Sequence, residues 1–422
     1  MTLKFSRFNI LKETEGNACL LFNTKTQALV ELDEQGRQSY AGLDPSSVFG
    51  SSFTELGFWI EDEDDEIMEL IYENRLAMFD QQFIRIVVKL TDDCNFRCPY
   101  CYQEHKKRTM GQEQIRAVYQ FMRKLHEQRE RKFVITYFGG EPLLNLDAIL
   151  QLEALLDESG IPHTGNISTN GFLLKESVIE KLKGTRIRDV QITLDGPQEI
   201  HDRSRVLADG RGTFEEVLQG IQALSKENRF SVILRCNLSP VNEPYIHELL
   251  DFLRGQGLIR KHIFVLFNET MDYTGTDSPL FYNSREAYAA AYLEIQKKLL
   301  EIGQPLPRHG RTNTFCSMYP SGAYTISPAL EIEACTSDEA LLGRIDSDGN
   351  VHYFRSFYDK MLNPLYAREA CMACKVLPMC MGGCMLLHKL GRENCIAQKY
   401  IIEDLLPLYQ LSNEKYGEDN LP

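Results

Sequence analysis

The sequence predicts an α/β protein built on a parallel sheet. Two periodicities and the placement of polar residues predict it. From Ile84 onward, apolar runs rich in β-branched or aromatic residues recur at Ile84–Leu90, Phe133–Phe138, His163–Ser168, Arg188–Leu194, Ser231–Leu238 and His262–Phe267. Segments with helical periodicity alternate with them: Gln112–His126, Asp147–Leu156, Lys175–Leu182, Phe214–Leu224, Tyr245–Gly255 and the long Arg285–Ile302. Such alternation means βαβ units and a parallel sheet. Glycines and polar side chains cluster where the runs end, the side on which α/β barrels carry their chemistry.

Composition narrows the function. With 422 residues the chain exceeds one typical domain. A net charge of −14 disfavours nucleic acid as the main partner, because a phosphate backbone demands a basic surface. No apolar run approaches the roughly 18 residues a membrane span needs. The N-terminus, MTLKFSRFNILKETEG, lacks a basic region followed by an apolar core, so the expected place is the cytoplasm. Twelve cysteines in such a chain point to metal or redox use, not to disulfides.

Ahead of the first barrel strand, Ala18–Asn23 and Gln27–Leu32 flank the polar turn NTKT and read as a hairpin. Phe49–Ile60 is a second apolar patch, and Cys19 reads as a buried small hydrophobe. The acidic run Glu61–Glu66 reads as a solvated boundary, followed by a helix over Ile67–Phe79.

The stretch Leu90–Tyr102, LTDDCNFRCPYCY, follows the first strand and places thiols at Cys94, Cys98 and Cys101. Three thiolates hold three irons of a cubane and leave the fourth open. A zinc site would favour paired C-x2-C knuckles. This loop resembles the cluster loop of the radical S-adenosylmethionine (SAM) enzymes, with Tyr100 as the aromatic residue before the last cysteine. The resemblance implies a partial (β/α)6 TIM-type barrel. It also implies a [4Fe–4S] cluster whose open iron chelates the methionine part of SAM, and a 5′-deoxyadenosyl radical that abstracts hydrogen. Gly139-Gly140-Glu141-Pro142 resembles the family's GGE motif, which binds the methionine amino group. By the same resemblance Ser168, Asn170 and Arg235 contact the methionine carboxylate or ribose, and Asp195 contacts ribose or substrate. A bland reading of Asp195 is a turn cap. Arg235 and Asn237 share one face of the fifth strand, and Cys236 points the other way into the core.

A second array, CMACKVLPMCMGGC, places Cys371, Cys374, Cys380 and Cys384, with Cys395 beyond and Cys316 and Cys335 before it. It resembles the SPASM extension, which carries two auxiliary [4Fe–4S] clusters. The resemblance assigns Cys371, Cys374, Cys380 and Cys395 to the outer cluster, and Cys316, Cys335 and Cys384 to the inner one. Fully ligated relatives have one more cysteine where this chain has Gly322. The inner iron left over is open to a substrate sulfur, or is filled by another residue or water. A glycine usual in the extension is Leu330 here, so the turn at Ser327–Glu333 is expected to differ in shape.

The expected organisation is a leader-recognition-like module over 1–83, a barrel over 84–305, an auxiliary-cluster domain over 306–400, and a helix and tail over 401–422. The helix is expected at Ile401–Leu411 and the tail from Asn413 is expected to be mobile. The N-terminal module resembles elements that capture an extended leader at a sheet edge. The function implied is maturation of a ribosomally made precursor peptide. The radical takes hydrogen from one residue and a cross-link forms, a thioether ahead of a carbon–carbon or carbon–oxygen bond. An external donor such as flavodoxin or ferredoxin supplies electrons. One alternative is a sulfatase-maturating enzyme, which carries Asp where this chain has Thr336 and starts close to its cluster loop. Another is an iron–sulfur electron carrier, which needs no GGEP motif.

Overall fold

The computed structural model describes residues 2–14, 18–80, 82–260, 262–273, 275, 278–306, 310–363 and 368–417. They form two compact units, each discontinuous in sequence. One contains Met1–Met78, Ser284–Tyr319 and Pro364–Pro422; the other contains Phe79–Asn283 and Pro320–Asn363.

Although the helix Arg285–Glu301, counted with the barrel from sequence, falls in the first unit, the second unit contains the strands of the expected partial barrel. Its six strands are Phe83–Lys89, Lys132–Phe138, His163–Thr169, Ile187–Thr193, Ser231–Leu238 and Ile263–Glu269. They pair in parallel in chain order. Alternate side chains explain the layering. In the fifth strand Val232, Leu234, Cys236 and Leu238 are buried, whereas Ile233, Arg235 and Asn237 on the opposite face are only half-buried. Helices between the strands cover the apolar face, as in Gln112–Gln128, which buries Ile115, Val118, Phe121 and Met122. Cys236 is thus a core residue, as expected.

The sheet does not stop at the sixth unit. Ala323–Ile326 pairs in parallel with the first strand, and Glu331–Cys335, Asp338–Ile345 and Val351–Tyr353 continue it antiparallel to ten strands. The turn before Glu331 keeps a glycine-like shape despite its leucine. Leu330 has φ +60°, its N–H donates to the Ser327 carbonyl at 2.9 Å, and its carbonyl accepts from Ile345 N at 2.8 Å. The chain holds a leucine in the left-handed region that favours glycine, at a cost of roughly 1–2 kcal/mol. A buried ion pair ties the extension to the barrel: Lys89 Nζ lies 3.0 Å from Glu333 Oε2, each side chain 2% exposed.

In the first unit the hairpin forms as Cys19–Asn23 with Leu29–Leu32, and Asn9–Glu13 adds a third antiparallel strand. Asn23 shapes the turn, because its Oδ1 accepts from Lys25 N and Thr26 N at 2.8 and 3.0 Å. Cys19 packs with Leu21, Leu32, Phe53, Phe58 and Trp59. Residues 61–65 of the acidic run are exposed, as expected of a solvated face, whereas its last residue is not. Trp59–Glu61 pairs with Leu3–Phe5, and Glu66 is buried, accepting from Ser6 Oγ at 2.7 Å and Arg7 N at 2.9 Å. A carboxylate with two donors at a helix start is a fixed part of the structure. The helix Glu66–Phe79 then packs Ile67 and Leu70 with Phe8, Leu377 and Met381, against which Cys371 and Cys374 are half-buried. The last helix is longer than expected, Gln398–Tyr416. Residues 418–422 of the tail lie outside the described residues.

Candidate active site

Cys94, Cys98 and Cys101 line one cavity of about 370 Å³ in the second unit. Every barrel strand end contributes to it: Gly139 and Gly140 after the second, Ser168 and Asn170 at the third, Gln191 and Thr193 on the fourth, Arg235 and Asn237 on the fifth, and Glu269 on the sixth. Ladder-like contacts fix the cysteine loop. Asp92 N donates to the Arg108 carbonyl at 2.9 Å, Arg97 N donates to the Val206 carbonyl at 2.8 Å, and Cys94 N is held by Asp93 Oδ1 at 2.9 Å. Burial pushes the Cys94 thiol up to about 12, against the pull of the Phe96 amide 3.4 Å from its sulfur. Cys98 is raised by burial and opposed by Arg205. Such thiols are neutral until a metal displaces their protons.

The paired glycines serve the loop itself. A Cβ on Gly139, whose φ is +143°, would stand 2.2 Å from the Thr91 carbonyl oxygen, and one on Gly140 would stand 2.2 Å from that of Asp93. Gly140 N donates to Thr91 O at 2.8 Å and Glu141 N to Asp93 O at 2.9 Å. Close backbone packing between the second strand end and the cysteine loop therefore demands both glycines.

Three expected site residues turn inward. Glu141 is fully buried and does not line the cavity. Its carboxylate accepts from Leu143 N at 3.0 Å, Thr169 Oγ1 at 2.6 Å and Asn170 N at 2.7 Å, which locks the second and third strand ends together and caps the short helix opened by Pro142. Burial raises its carboxyl, against those three donors. Pro142 is likewise buried in that turn. Asp195 is 1% exposed. It takes a hydrogen bond from the Tyr100 hydroxyl and another from Asn237 N at 2.8 Å. So Asp195 orients Tyr100 from behind the cavity wall. Ser168, Asn170, Arg235 and Tyr100 do line the cavity. Asn170 Nδ2 reaches Asn95 Oδ1 at 2.8 Å, and Arg235 Nε donates to Asn237 Oδ1 at 2.9 Å.

Arg205 was not singled out by sequence. It is 7% exposed, lines the cavity, and donates to Tyr100 Oη at 2.7 Å. It caps the C-terminus of the short helix Gln198–Ser204, where no periodicity flags a single arginine. Thr336 and Ser337 also line the cavity, in the turn after Cys335.

In the first unit, Cys371, Cys374, Cys380 and Cys395 line a second cavity of about 120 Å³, together with Arg368 and Lys399. Lys399 Nζ lies 3.3 Å from the Cys395 sulfur. Burial pushes Cys380 up to about 12. The turn Met381-Gly382-Gly383 has positive φ throughout, and a Cβ on Gly383 would strike the Asn394 carbonyl oxygen at 2.2 Å. Cys384 follows that turn and is not in the cavity wall; Cys316 lies in the same unit, and Cys335 ends a strand of the other. Among the described residues no three of His, Cys, Asp and Glu close on a single metal ion. Thiols spread around a cavity leave room for a multi-atom cluster, and cationic Lys399 and Arg368 suit its negative charge.

A parallel α/β sheet with three thiols at the mouth of its strands defines a class, and comparison with known proteins agrees. Residues 88–253 match the Radical SAM superfamily model. That segment is similar to radical SAM domains, and a domain of that family holds a [4Fe–4S] cluster and SAM. The residues present fit both, with three thiols around a cavity whose wall also carries the partnerless buried nitrogen Arg205 Nε. Among curated proteins the chain is similar to a probable GTP 3′,8-cyclase of Methanocella arvoryzae, 30% identical over 44% of this chain and 57% of that protein. It is also similar to the mycofactocin maturase MftC of Mycobacterium tuberculosis, 26% identical over 70% of this chain and 77% of that one. The chain thus spans little over half the length of the cyclase. Its fold is shared by native anSMEcpe with bound AdoMet and Cp18Cys peptide, with TM-score 0.58, 16% identity, and coverage of 80% of this chain and 98% of that one. Streptococcus suis SuiB bound to precursor peptide SuiA gives TM-score 0.56 and 14% identity over 94% of this chain and 98% of that one. No helix among the described residues is long and apolar enough to cross a membrane.

Proposed function

We propose that this radical SAM enzyme matures a ribosomally made precursor peptide by cross-linking one of its residues. The observation that carries the reading is the shared cavity wall: Thr336 and Ser337, directly after Cys335, line the same cavity as Cys94, Cys98 and Cys101. In this reading the three N-terminal thiols hold the SAM cluster. The C-terminal cysteines hold two auxiliary clusters: Cys371, Cys374, Cys380 and Cys395 the outer one, Cys316, Cys335 and Cys384 the inner one. Bound there, cluster and SAM supply a 5′-deoxyadenosyl radical that takes a hydrogen atom from the peptide. Ser168, Asn170, Arg235 and Tyr100 orient the bound cofactor. An open inner iron suits thioether formation. The coverage of MftC and SuiB, both above that of the cyclase, supports a peptide over a nucleotide. The hydroxyl of Thr336 offers no carboxylate base at neutral pH, which favours cross-linking over formylglycine formation.

The three-stranded sheet supports a leader-binding role for the N-terminal module, since Leu29–Leu32 is an edge strand there. The reading places the enzyme in the cytoplasm, with a flavodoxin or ferredoxin as electron donor.

The test is a mass spectrum of a precursor co-expressed with the enzyme, together with an anaerobic iron count. Cys94→Ala is expected to abolish 5′-deoxyadenosine, and Cys335→Ala to retain it while losing the cross-linked product. Equal loss of both activities in Cys335→Ala, or an unmodified precursor with fully loaded enzyme, defeats the proposal. A core peptide lacking its leader is expected to bind at least tenfold more weakly; equal affinity removes the leader role.

A further inference from the structure

We infer that Arg205 and Asp195, acting as an oriented buried charge pair, set the reduction potential of the cluster held by Cys94, Cys98 and Cys101. The inference rests on the proposed ligand role of those three cysteines.

Arg205 and Asp195 are 7% and 1% exposed, and their charged atoms lie 3.6 Å apart. Tyr100, between the second and third cysteines, bridges them: its hydroxyl donates to Asp195 and accepts from Arg205. The guanidinium lies 5.4 Å from the ring centre of Phe96, whose amide donates to the Cys94 sulfur. The pair points one way. Arg205 lines the cavity with the three cysteines, whereas Asp195 stands behind the wall, held by Asn237 N.

Cluster potentials follow local charge, hydrogen bonding and solvent exposure. Reduction adds a negative charge, so a near cation favours it and a near anion opposes it. Burial keeps both effects strong, because neither charge is screened by water or salt. Removing Arg205 leaves the anion alone and makes the cluster harder to reduce. Removing the charge of Asp195 leaves the cation alone and makes it easier.

The experiment is a redox titration followed by electron paramagnetic resonance. It uses anaerobically reconstituted full-length enzyme without SAM and follows the signal that SAM addition perturbs. Arg205→Met is expected to lower the equilibrium constant for reduction at least tenfold, which is 59 mV for one electron. Asp195→Asn shifts the potential the opposite way, and Arg205→Lys stays within threefold of the unmodified enzyme. Shifts in the same direction for Arg205→Met and Asp195→Asn mark mere loosening of the site and overturn the inference. Unchanged potentials with weakened SAM affinity also overturn it, since Arg205 then serves only a ligand's anionic group. If Arg205→Met holds no iron, Asp195→Asn and Arg205→Lys decide by the same criteria. An unmodified enzyme without the SAM-responsive signal refutes the ligand assignment itself, and this inference with it.

Discussion

Replacing Gly140 with alanine tests the backbone contact on which the cysteine loop rests. The new Cβ would meet Asp93 O at 2.2 Å, Asp93 C at 2.5 Å and Asp92 O at 3.0 Å. All three are backbone atoms, so no rotamer change relieves the clash; the loop itself must move. A forced shift of this kind costs about 1–3 kcal/mol. It also disturbs the hydrogen bonds from Gly140 N to Thr91 O and from Glu141 N to Asp93 O, each contributing about 1 kcal/mol. The expected loss is thus about 3–5 kcal/mol. Gly160→Ala is the control, because Gly160 has φ +65° with nothing near its Cβ and carries only the left-handed cost of about 1–2 kcal/mol. Chemical denaturation of the metal-free protein measures both, and iron content after reconstitution reports the loop. A Gly140→Ala protein as stable as Gly160→Ala, with full iron, would refute the contact.

Three further outcomes follow from the same structure. Lys89→Met strands Glu333 in a buried site and is expected to cost about 3–5 kcal/mol, while Lys89→Met with Glu333→Met restores most of it; denaturation curves of the single and double variants decide, and equal losses would show the pair is not coupled. Leu330→Gly is expected to be more stable than Leu330→Ala by about 1–2 kcal/mol, the reverse of the usual order, because φ at this position is +60°. For His163, burial lowers the imidazole, but the Glu153 carboxylate 3.3 Å away and the Ile161 carbonyl outweigh it and the net direction is up. A raised folded-state value stabilises fully below the unfolded value of about 6.5 and fades as pH rises past the folded one. Between pH 6 and pH 9 the protein should therefore lose more stability than His163→Gln does, and parallel curves would contradict this.

The regular part of the fold was legible because each strand and helix carries its own period. His163–Thr169 and Gln112–Gln128 fall within two residues of their expected bounds at each end. Spacing also picked out the three thiols that share one cavity, and the resemblance picked out the four that share the other. Pairing between distant segments was not legible. Ala323–Ile326 is only four residues long, and nothing local says that it docks beside Phe83–Lys89. The direction of a strand-end side chain was not legible for the same reason. Glu141 and Asp195 are polar residues at strand ends, but whether a carboxylate faces the cavity or the wall behind it depends on donors contributed by Thr169, Asn170 and Asn237. Glu66 belongs to an acidic run by composition, yet Ser6 and Arg7, sixty residues earlier, make it internal.

The interleaving of the two units governs the order in which a ribosome can complete them. The chain leaves the barrel unit at Ser284, returns at Pro320 and leaves again at Pro364. Until Ala323–Ile326 has emerged, the open flank of Phe83–Lys89 lacks its neighbour. The start of the chain waits longer still, because Phe8, Ile67 and Leu70 find Leu377 and Met381 only near the end of synthesis. The Cys94 loop can therefore close on its own strands well before the Cys371 segment has a scaffold.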